Sequence, residues 1–141
     1  MSSVNRSSAR QSTVTAYVDV VLANLTTTVD VPVLEMPTGS VLVSGDIVPT
    51  EVFNSTSSDV LDVGDSGSEN RYVNDASLQA LTRVALVPTG YVNTAPTLVT
   101  VRWVSGGGTP TTGKFTLRVE YYVRGRSDLG PQGSDFGARL V

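Results

Sequence analysis

Hydrophobic and polar residues alternate along much of this chain, most clearly over residues 114–124. Phe115, Leu117, Val119, Tyr121 and Val123 fall on one face, and Lys114, Thr116, Arg118, Glu120, Tyr122 and Arg124 on the other. A period of two built from β-branched and aromatic residues predicts a strand with one face on a core. The run exceeds the usual strand length of about five or six residues, which predicts a place in the middle of a sheet. Shorter pieces of the same kind precede it at 13–23, 27–33, 40–48, 60–63, 84–87, 91–92 and 97–104. Residues 44–46 predict a bulge or short hairpin within the third piece, and residues 51–53 begin another extended stretch. Turns are expected at Asn24, 36–39, 88–90 and 95–96, where Asn, Pro and Gly cluster. Residues 54–59 and 64–70 read as polar loops, and 105–113 as a long hairpin loop. The one helical expectation is 76–81, with Asp75 as its N-cap. Eight or so strands at this spacing predict an all-β, antiparallel β-sandwich, jelly-roll-like or Greek-key in topology.

The ends break the pattern. Residues 1–12 are Ser-rich and polar, and 127–141 are rich in Gly and Ser, with Leu129, Phe136 and Leu140 as isolated apolar residues. Neither stretch can bury enough surface to fold alone. The expected organisation is a flexible arm over 1–12, a sandwich domain over 13–126 and a second arm over 127–141.

Composition supports sheet: Val and Thr are the two commonest residues, while Glu and Lys are scarce. At 141 residues the chain forms one domain with room for a real core. It contains no Cys and no His. The first absence excludes a disulfide framework, a thiolate metal site and a Cys nucleophile. The second removes the commonest general base and the commonest metal ligand. No early apolar run has the signal-peptide form. Residues 17–25, the most apolar early segment, include Asp19 and are too short to span a bilayer. Folding in a cytoplasm is therefore expected.

Charge is unevenly distributed. Residues 11–70 hold nine carboxylates and no Lys or Arg, whereas 71–126 hold seven basic residues and two acids. Either acidic and basic strands pair within one sandwich, or the two surfaces face different neighbours in an assembly.

Three stretches imitate catalytic or binding motifs. Residues 108–114 follow most of the P-loop pattern, but Phe115 stands where a Mg²⁺-binding hydroxyl belongs, a strand follows in place of a helix, and Pro110 removes a donor. A hairpin tip explains them better. The acids over 59–69 lack EF-hand spacing, and Val60, Leu61 and Val63 among them belong to a core. A glycosidase pair drawn from the same acids would lack a nearby aromatic platform. The sequons at Asn24 and Asn54 have no secretion signal to give them meaning. Trp103 continues the Val99/Val101 face and reads as core. No catalytic, metal or cofactor residue is assigned, and the chain is read as a non-enzyme.

Residues 36–126 resemble small structural proteins encoded beside the major capsid protein of tailed bacteriophages, in particular the cement (decoration) type of the Bordetella phage capsid. The carrying segments are Pro37-Thr38-Gly39 before a strand, Phe53-Asn54-Ser55, and Ser58-Asp59-Val60-Leu61-Asp62-Val63-Gly64-Asp65. Arg71-Tyr72, Leu86-Val87-Pro88-Thr89-Gly90-Tyr91 and Arg118-Val119-Glu120-Tyr121-Tyr122-Val123-Arg124-Gly125-Arg126 follow in order. The resemblance implies a jelly roll that self-associates as a dimer or trimer on the outer surface of an icosahedral virion. There it bridges major capsid proteins, with no cofactor, no direct nucleic-acid contact and no membrane. A neck, head-fibre or tail module that binds a host or another tail protein is the alternative. Expected contact residues are Arg6 and Arg10 in the first arm and Leu129, Phe136 and Leu140 in the second. Arg118, Tyr122, Arg124 and Arg126 are expected to add a basic face.

Overall fold

A computed structural model describes residues 10–126. Eight strands form two four-stranded antiparallel sheets. They are β1 (Val14–Val21), β2 (Asp30–Met36), β3 (Ser40–Glu51), β4 (Asp59–Asp65), β5 (Ser68–Ser77), β6 (Val84–Ala85), β7 (Thr97–Ser105) and β8 (Lys114–Val123). One sheet runs β1-β8-β3-β6 and the other β2-β7-β4-β5. The pairs β1/β8, β2/β7, β3/β6 and β4/β5 describe one long antiparallel ribbon. Wrapping that ribbon adds the β3/β8 and β4/β7 pairings and closes a jelly roll.

The alternation read over 114–124 is the alternation observed. Phe115, Leu117, Val119 and Tyr121 are buried, and β8 lies between β1 and β3. Opposite it, Val99, Val101 and Trp103 of β7 and Leu61 and Val63 of β4 present their own buried faces. Phe53 joins the layers, its ring 5.9 Å from Trp103 and 6.3 Å from Phe115. Few aromatics suffice because β-branched residues interdigitate well between pleated sheets.

Four expectations need correction. Residues 76–81 form no helix: Ala76 and Ser77 end β5, and Asp75, expected as an N-cap, has φ 58° and donates its N–H to Asp62 (2.7 Å). The next turn is held extended by Leu78, whose N–H meets the Asp59 carbonyl and whose own carbonyl accepts from Phe53. The loop over 64–70 is mostly strand, because Asp65 makes a tight turn by accepting the N–H groups of Gly67 and Ser68. The bulge expected at 44–46 appears as a register slip between Leu42 and Ser44 within an unbroken β3, whereas Glu51 ends that strand and residues 52–53 begin no other. Residues 105–113 are no hairpin loop, since β7 and β8 belong to opposite sheets.

Candidate contact surface at the paired termini

The last residues of β8 and the residues just before β1 meet at one end of the sandwich. Gln11 makes the joint. Its side-chain amide donates to the carbonyls of Val123 (2.6 Å) and Arg126 (2.9 Å), and its Oε1 accepts the Val123 N–H (2.9 Å). A primary amide offers the same donor and acceptor as a peptide group, so Gln11 extends the β1/β8 ladder with a side chain. Gly39 seals the other flank of β8: at φ 86° it donates to Asn93 and accepts from Arg124. Gln11, Tyr122, Val123, Arg124, Gly125 and Arg126 line a shallow cavity of about 170 Å³ there.

This geometry sorts the expected contact residues. Tyr122, Arg124 and Arg126 come together with Gln11, which Arg10 precedes in the chain; Arg124 is exposed and Tyr122 half-buried. Arg118 is separate, with its guanidinium on Asp46 at 3.2 Å. Arg6, Leu129, Phe136 and Leu140, and with them most of both arms, lie outside the described residues. Gln11 was missed, because nothing local marks a glutamine as the partner of a strand more than a hundred residues away.

Five ion pairs among the described residues join the acidic and basic halves of the sequence. The ion pairs Asp65–Arg71, Asp46–Arg83, Asp46–Arg118, Asp30–Arg102 and Glu69–Arg102 each join an acid of residues 11–70 to an arginine of 71–126. Among the described residues, this favours pairing within the sandwich as the reason for the uneven charge. Burial would raise the Asp46 carboxyl, but Arg118 and Arg83 outweigh it and hold it below the ordinary value. Asp65 follows the same balance: burial raises it, and Arg71 with the turn N–H groups brings it lower. Asp62 goes the other way, raised by burial and by the nearby charges of Asp75 and Glu69 against the Asp75 N–H bond.

The acids that imitated a metal loop are thus occupied by protein donors. Asp59, 1% exposed, accepts from Ser55 N–H, Ser55 Oγ, Gln79 Nε2 and Trp103 Nε1 at 2.7–2.9 Å. It ties the loops after β3 and β5 to β7. Phe115, at the end of the P-loop-like stretch, is fully buried.

No protein-family model matches the chain, and no curated protein matches it. Solved structures do share its fold. A chain of the cyanophage Pam1 capsid asymmetric unit superposes with TM-score 0.65 at 23% identity, covering 79% of this chain and 84% of that one. A chain of the capsid of Ralstonia phage GP4 gives 0.66 at 17% identity, with 90% and 92% covered. The acid-stable capsid of Helicobacter pylori bacteriophage KHP30 supplies a third, at 0.63 and 15% identity, with 80% and 89% covered. The likeness is one of fold, and what these chains have in common with the present one is a jelly roll found in phage capsids.

Proposed function

We propose that the protein is a structural component of a phage particle that decorates the outside of an icosahedral shell and bridges neighbouring shell proteins. The observation that carries this reading is the joint at Gln11, which roots both terminal segments at one basic corner. The fold shared with chains of three phage capsids supports it. Attachment through two polar segments from one corner leaves the rest of the sandwich clear. Many weak attachments of this kind on one shell act together, because each bound copy is one of a closely spaced array. Arg6 and Arg10 on one side, and Leu129, Phe136 and Leu140 on the other, are the contacts proposed for the segments, with Tyr122, Arg124 and Arg126 at their root. The proposed role is non-enzymatic.

Quantitative mass spectrometry of purified particles tests the reading. Hundreds of copies per particle, in fixed ratio to the major capsid protein, are expected. A dozen or fewer would move the protein to a neck, fibre or tail, and absence from particles would end the proposal. Deleting residues 1–9, which spares Gln11, should leave a folded domain with lower occupancy on the shell.

A further inference from the structure

Each sheet ends in two edge strands, and an unprotected edge is a template for another strand. Three of the four edges are protected. β6 is only two residues long. β2 carries Pro32 and a register slip between Pro32 and Leu34. β5 is charged along its length and slips register twice against β4. β1 has none of these devices. Its eight residues, Val-Thr-Ala-Tyr-Val-Asp-Val-Val, pair with β8 without a break and include one charge and no proline. Its outer edge faces no strand among the described residues. Tyr17, at its middle, is 69% exposed. Beside it an open cleft of about 400 Å³ separates β1 from β2, lined by Val18, Val20, Val31 and Val33 among others.

We propose that β1 is a self-pairing edge, and that a second copy of this chain adds its own β1 antiparallel across a two-fold axis at Tyr17. Self-association as such is what the resemblance in the sequence implies, and this inference gives it a surface and a register; it does not rest on the proposed attachment to a shell. The strand is self-complementary in that register. Tyr17 opposes Tyr17 of the second copy, an aromatic cross-strand pair. Thr15 opposes Asp19, setting a hydroxyl donor against the single charge and keeping the two Asp19 carboxylates apart. Val14 meets Val20 and Ala16 meets Val18 on the core side. The same patch thus serves both subunits, as a two-fold interface requires. The two sheets become one continuous eight-stranded sheet. Residues 127–141 of the chain are a poorer occupant, since Gly130, Pro131, Gly133 and Gly137 interrupt any strand they could offer.

Light scattering on the full chain at micromolar concentration should report a dimer. Tyr17→Lys, at an exposed position, should keep the Trp103 emission of the folded protein and weaken the dimer by about tenfold or more, because it opposes two like charges at the axis. The natural chain has no cysteine, so Tyr17→Cys supplies the only thiol. Opposed residues of an antiparallel pair lie within disulfide reach. Mild oxidation should then give a covalent dimer on a non-reducing gel, while Leu98→Cys, exposed on the other sheet, stays a monomer. A monomeric wild type, a dimer indifferent to Tyr17→Lys, or no crosslink through Cys at 17 would each overturn the proposal. Slow amide exchange at Thr15 and Tyr17 in a monomer would assign the edge to the chain's own segments and overturn it as well. Particle copy number is a separate measurement, so a failed dimer and a failed shell assignment are told apart.

Discussion

Asp59 accepts four hydrogen bonds from neutral donors in a place almost closed to solvent. Removing it would leave the Ser55 N–H and the Trp103 indole N–H without an acceptor and take one of two partners from Ser55 Oγ and Gln79 Nε2, and buried donors without acceptors are costly. Asp59→Ala is expected to lose about 3 kcal/mol in urea unfolding, with Trp103 emission shifted to the red as its indole N–H meets water. The ion-paired carboxylates set the response to acid. Asp46 and Asp65 both lie below the ordinary value of 3.8 when folded. Their contribution is present above that value and is lost as pH falls through the depressed ones. Asp62 has the opposite sign: raised when folded, it contributes below 3.8 and loses that contribution as pH rises through its own value. Asp46→Asn should therefore lower the melting temperature at pH 7 and converge with wild type in strong acid. Asp62→Asn should raise the melting temperature at pH 7, with the gain shrinking as pH falls.

At the level of strands and turns, alternation carried the reading. β8 and the Val99/Val101/Trp103 face of β7 were legible because one face of each is dry and the other wet, so side-chain chemistry records the fold. The β4–β5 hairpin was not. Its Gly, Ser and Asp residues read as loop, and only the Asp65 carboxylate bonding two backbone N–H groups reveals the turn. Gly64 makes the hairpin's close return possible, since a Cβ there would stand 2.1 Å from the Ser68 carbonyl oxygen. Gly64→Ala should cost about 3 kcal/mol and displace residues 68–69, which melting and hydrogen exchange would report. Residues 76–81 misled because Ala, Leu and Gln suit a helix in isolation, whereas hydrogen bonds to Phe53 and Asp59 decide the matter from far along the chain. The candidate corner was half legible. Its arginines stood out, but the residue that gathers them did not. Gln11→Ala should speed amide exchange at Val123 while changing global stability by about 1 kcal/mol at most.

For the whole molecule, four of the nine carboxylates of residues 11–70 pair with four of the seven basic residues of 71–126, and Arg10, Arg124 and Arg126 stand together in the chain segments that meet at Gln11. The proposed attachment through that corner should weaken with salt. Arg124→Glu together with Arg126→Glu should lower shell occupancy at low ionic strength and flatten its dependence on salt, as followed by co-sedimentation with particles. The joint at Gln11 also has a mechanical side. Because β1 and β8 are antiparallel neighbours whose outer ends lie together, tension between residues 10 and 126 opens their ladder one bond at a time, beginning with the three at Gln11. Such peeling yields at low force. If the two tails pulled against each other, the sandwich would unzip from that corner; pulled in the same direction, they would spread the load along the strands. On the proposed attachment to a shell, swelling should therefore keep this protein folded only where residues 10 and 126 lead to anchors on the same side of it.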